Sequence, residues 1–116
     1  MDYKDVEKII SSNFIVEKEI LGENLFSKVV EGAVLGERYD VAPRFGHAMD
    51  IVSVVEAVKL AAEFTLAVYG VFKLQKELFD KKSKEVTIII KDDKYKDIEE
   101  NILNDICDEV SKGKFS

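Results

Sequence analysis

Glu37, Arg38, Tyr39, Asp40, Arg44, His47 and Asp50 form the one cluster of reactive side-chain types in this 116-residue chain. They lie in ERYDVAPRFGHAMD, a loop that runs into the start of a helix. A helix N-terminus favours anions through its unpaired N–H groups and its dipole, and Arg44 and His47 add to that. His47 and Asp50 are three residues apart, so on a helix the carboxylate can orient the imidazole. A small enzyme, or an anion- or ligand-binding domain, could use Arg44, His47, Asp50 and Asp40 as its contact residues. The same residues also serve plain structural ends. Asp50 in a first turn suits the helix dipole, and Asp40 with Arg44 can pin the loop to itself.

Other chemistry finds little support. One His and one Cys make no closed metal set, which wants four such ligands, so no metal or cofactor is expected. No GxSxG, Walker loop or paired cysteine is present. Cys107 sits among Ile102, Leu103, Ile106 and Val110, with Asp105, Asp108 and Glu109 beside it. It reads as a small buried apolar residue rather than a reactive thiolate. Glu56 and Glu63 flank Lys59 on one polar strip, which reads as a solvated or salt-bridged helix edge.

The net charge of −6 argues against nucleic-acid binding, which needs a cationic face. Lys73, Lys76, Lys81, Lys82 and Lys84 interleave with Glu77, Asp80 and Glu85 and read as a solvated helix end. The opening MDYKDVEK has no apolar h-region, so no signal peptide is expected. The lone cysteine suits a reducing, cytoplasmic setting.

The elements that must position these residues follow from periodicity. Length allows one domain, 1–116. Asp2 to Ser12 predicts a short helix with Val6, Ile9 and Ile10 on one face. Phe14 to Leu21 predicts a strand from its β-branched residues and partial alternation. Gly22-Glu23-Asn24 reads as a turn. Phe26 to Val34 predicts a second strand, with Gly32 at a bulge; a helix over 23–31 is the alternative. Leu35 to Gly46 reads as a loop, with Pro43 forcing Ala42 out of helical geometry. Glu85 to Lys91 predicts an inner strand from five consecutive residues of β propensity. Asp92-Asp93 turns the chain and offers an N-cap. Lys94 to Ser111 predicts the last helix, striped by Ile98, Ile102, Ile106 and Val110 and capped by Gly113. The expected fold is α+β: a small antiparallel or mixed three-stranded sheet packed by one long central helix and a C-terminal helix.

The long helix, Ala48 to Lys82, sets the largest constraint. One apolar stripe runs Ile51, Val55, Val58, Ala62, Leu66, Tyr69. A second runs Leu60, Phe64, Ala67, Val71, Leu74, Leu78 on nearly the opposite face. At 1.5 Å per residue the segment spans roughly 50 Å, against a domain diameter of roughly 35 Å. Either it breaks near Gly70 or another chain covers the overhang. Its longest uncharged stretch, Phe64 to Phe72, falls far short of the ~20 residues a bilayer needs. Asp50, Glu56, Lys59 and Glu63 would also have to enter hydrocarbon. A membrane span is therefore not expected.

From Ala48 to Lys91 the order is a long Ala/Val/Leu-rich helix, a basic KKSK linker and the β-rich EVTIII. This layout resembles the small effector-associated components found beside effector enzymes in prokaryotic conflict systems. The resemblance implies a non-enzymatic adaptor or regulator of a larger effector. It covers 48–91, rests on layout, and carries no functional residue over; the linker lacks arginine. The leading expectation is thus a non-enzymatic binding and assembly module. It self-associates through helix 48–82, as a dimer in the simplest case, with Leu60, Phe64, Ala67, Val71, Leu74 and Leu78 at the interface, and it can serve as an adaptor for a larger protein.

Overall fold

The computed structural model describes residues 2–36, 48–74 and 84–112. Among the described residues six helices run in the order α1 (Tyr3–Ser11), α2 (Ile15–Leu21), α3 (Glu23–Leu35), α4 (Ala48–Leu74), α5 (Lys84–Ile90) and α6 (Glu100–Lys112). A 3-10 turn, Asp93–Tyr95, precedes α6. Among the described residues there is no strand. The expected α+β fold is therefore corrected to an all-helical one.

α1 forms where its pattern predicts. Asp2 accepts from the Asp5 N–H at 3.1 Å, while Asp5 accepts from the Asp2 N–H at 3.2 Å, a reciprocal cap. The Asp5 N–H is also the main reason the Asp2 carboxyl is held below its usual pKa. Val6, Ile9 and Ile10 face the core.

Each of the three expected strands is a helix. In α2, Glu17, Lys18, Glu19 and Leu21 are good helix formers, and they outnumber the β-branched Ile15, Val16 and Ile20. Gly22 then turns the chain at φ 81, a conformation open to glycine. In α3 the apolar spacing is three and four: Phe26, Val29 and Val30 are buried, and Ala33 packs beside them. The alternative helical reading of 23–31 is the one the structure adopts, extended to Leu35 and closed by Gly36 at φ 75. In α5, Val86 is buried and Ile89 and Ile90 pack against the core, one face of a helix at spacings of three and four.

These three corrections share one cause. A strand satisfies its N–H and C=O groups on a neighbour, and a helix satisfies them within itself. Once 15–21 and 23–35 coil, Glu85 to Lys91 has no strand to pair with. The β propensity of Thr87 and the isoleucines then yields to packing.

α4 is the axis of the bundle. It packs against α1, α2, α3, α5, α6 and the 3-10 turn. Val55, Val58, Ala61, Ala62, Phe64, Thr65 and Val68 are all buried. A helix apolar on most sides is a helix covered on most sides, and here its own chain provides the cover. The Thr65 hydroxyl, buried among these residues, donates to the Ala61 carbonyl at 2.7 Å. The helix runs unbroken through Gly70.

The described 27 residues span about 40 Å, within a long axis of 49 Å. The domain extends along its helix, so the described part has no overhang. Residues 75–82 lie outside the described residues.

α6 begins at Glu100, later than Lys94, because the chain first makes the 3-10 turn. Asp92 caps that turn, accepting from the Lys94 N–H at 2.9 Å. Leu103, Ile106, Cys107 and Val110 are buried. Two polar ties hold the outer helices. Ser27 donates to Glu7 at 2.7 Å, joining α3 to α1. Asn13 donates to Asp105 at 2.9 Å, joining the α1–α2 turn to α6.

Candidate functional site

The loop that concentrates reactive side chains gives no site geometry. Asp40, Arg44 and His47 lie outside the described residues. Asp50 falls within the first turn of α4. Among the described residues, no group of three or more His, Cys, Asp or Glu could hold a metal ion.

The residues expected at a self-association interface divide three ways. Phe64 is fully buried in its own chain, edge-on to Tyr95. Leu60, Ala67 and Val71 are half-buried on α4. Leu74 closes the described part of α4, and Leu78 lies outside the described residues.

α4 keeps one outward edge, and it carries charge. Val52, Glu56 and Lys73 are exposed there, with Lys59 and Glu63 half-buried. Glu63 accepts from Lys94, Nζ to Oε2 at 2.9 Å, so this edge is bridged to the 3-10 turn. That hydrogen bond is the largest reason the Lys94 pKa is raised. Tyr95 is pushed up too, chiefly by burial of its phenol.

The feature that sequence reading missed is α2. Its polarity is inverted. Ile15, Val16 and Ile20 are exposed at 59%, 62% and 53%, whereas Glu17, Lys18 and Leu21 are half-buried. Lys18 turns inward and sets its ammonium 5.7 Å from the centre of the Phe26 ring, a cation–π contact. Beside Ile15 runs a groove of 440 Å3, lined by Ser11, Ile15, Lys18, Glu19, Gly22 and Glu23.

The signal was present in the sequence but read at the wrong period. At about 100° per residue, Ile15, Glu19, Val16 and Ile20 fall within one arc of about 140°. Alternation along a strand instead spreads Ile15 and Val16 to opposite faces. Packing then decides which side of α2 turns inward. Gly22 allows α2 to fold back on α3, and Phe26 draws Lys18 toward the bundle.

The described residues thus define a helical bundle around one central helix, with an apolar face left bare on α2, a short outer arm of seven residues. A comparison with protein-family models, curated proteins and solved structures finds no match. Among the described residues no helix is long and apolar enough to cross a membrane.

Proposed function

We propose that this chain is a non-enzymatic binding and assembly module, an adaptor that holds another protein chain through the outer face of α2. One observation carries the reading. Three large aliphatic side chains point outward from a helix whose charged Glu17 and Lys18 are half-buried. A helix shaped only by folding would turn the aliphatic side inward. The layout resemblance of residues 48–91 to effector-associated components supports the same class, although EVTIII lies within α5 rather than in a strand. A second reading, self-association along α4, rests on the half-buried Leu60, Ala67 and Val71.

The test asks whether α2's aliphatic side chains serve the fold. Val16→Lys with Ile20→Lys is made in the full chain and unfolded in urea. Stability is expected within about 0.5 kcal/mol of the parent, as for other exposed sites. A loss of about 2 kcal/mol or more means the face is covered by its own chain, and the proposal falls. Light scattering on the same two proteins separates the readings. A monomer is expected in both. A dimer untouched by these substitutions but dissociated by Leu60→Lys favours the contact along α4.

A further inference from the structure

The size and charge of the α2 face narrow what can occupy it. Ile15, Val16 and Ile20 together expose roughly 300 Å2, the scale of the largest apolar patch on an ordinary monomer. Two copies meeting on this face would bury about twice that from these residues, short of the ~1,200 Å2 at the low end for a stable pair. A single helix laid along α2 is held by a few anchors spaced three and four apart, a contact that a short apolar face beside a groove can supply.

The charge is one-sided. Glu19 lies between Ile15 and Val16 on the helix wheel, and Glu23 opens α3 just past Gly22. The two meet only at the groove: both are exposed, and both line it beside Ile15. Lys18, the one cation on that groove, is drawn over the Phe26 ring. The wall offered to a partner is therefore anionic, in a chain of net charge −6.

We infer that α2 binds an amphipathic helix of a partner protein whose apolar stripe is edged by Lys or Arg. The stripe packs on Ile15, Val16 and Ile20, and one cation enters the groove against Glu19 and Glu23. This rests on the adaptor reading above and adds the chemistry of the partner.

The probe is a labelled synthetic helix of Leu and Lys, with a Leu and Glu counterpart of equal length. Each is titrated into the full chain by fluorescence anisotropy. The Lys peptide is expected to bind at least about tenfold more tightly than the Glu peptide. Glu19→Lys with Glu23→Lys should weaken it about tenfold, whereas Glu100→Lys with Glu109→Lys, the same charge change on exposed positions of α6, should not.

Equal binding of the two peptides overturns the inference. So does equal weakening by the α6 pair, which would report only attraction to an acidic protein. Val16→Lys with Ile20→Lys separates the two levels. If it abolishes binding while the α2 glutamates prove indifferent, the adaptor face stands and the basic partner falls. If it leaves binding intact, both fall.

Discussion

The ring of Tyr95 stands edge-on to that of Phe64, their centres 5.1 Å apart and their planes at 74°. This is the favoured geometry for two aromatic quadrupoles. It joins the middle of the central helix to the turn that launches α6. It also explains how a phenylalanine in the long apolar helix comes to be covered by its own chain.

Phe64 is fully buried, so its truncation should be costly. Phe64→Ala is expected to lose about 3–5 kcal/mol in urea unfolding. Phe64→Glu should leave the chain unfolded rather than release a folded monomer, because it buries a carboxylate with no counter-charge. Circular dichroism with light scattering distinguishes the two. A folded, dissociated monomer would contradict this packing.

The Lys94–Glu63 bridge should be modest and pH-dependent. Lys94 is half-exposed, so the pair is worth about 1 kcal/mol at most. Its pKa is raised first by the hydrogen bond to Glu63. A lysine raised in the folded state contributes fully below its unfolded pKa of about 10.4, and the contribution is lost as pH climbs through the raised value. The stability gap between the parent and Lys94→Met should therefore hold at neutral pH, close above the lysine range, and shrink in high salt.

Tyr95 should ionise late. Burial is the leading cause of its raised pKa, and an ordinary phenol titrates near 10. The neutral ring is the form that the fold favours, so its contribution is fully present below the unfolded pKa and is lost as pH climbs through the raised value. The difference in ultraviolet absorbance between the parent and Tyr95→Phe isolates this residue in an alkaline titration. A difference curve centred at the ordinary phenol value would contradict the buried position.

Two glycines should respond in opposite directions. At Gly70, inside α4, an added Cβ meets nothing within 4 Å. Gly70→Ala should stabilise by about 0.5–1 kcal/mol, since alanine restricts the unfolded chain and favours helix. Gly36 also has open space, but its φ is 75. There Gly36→Ala should destabilise by about 1 kcal/mol through backbone strain. Thermal unfolding of both variants checks the unbroken α4 and the cap of α3 together.

The positions of α1, α4 and α6 were legible from local pattern, although the helical form of α2 and α5 was not, and that of α3 was only the alternative. Val6, Ile9 and Ile10 lie on the buried side of α1, and Ile106 and Val110 on that of α6. Those assignments needed only the period of a helix and the preference of aliphatic groups for an interior. The apolar belt of the long helix was legible too, including Glu63 on its polar edge.

The sequence by itself determined that a long central helix had to be covered on several sides, because apolar residues circle it between Val55 and Val68. Only the tertiary structure decided what covers it and in which form. Residues 14–21, 26–34 and 85–91 carry enough β-branched side chains to read as strands. Whether such a segment extends or coils depends on finding a neighbour for its backbone, which no local window contains. Packed around α4, all three coil. Phe64 then meets Tyr95 within one chain, and α2 turns Lys18 to Phe26 while its aliphatic face looks outward. A single residue in a period-2 or period-3.6 pattern cannot report this, because it is a property of how the helices sit on one another.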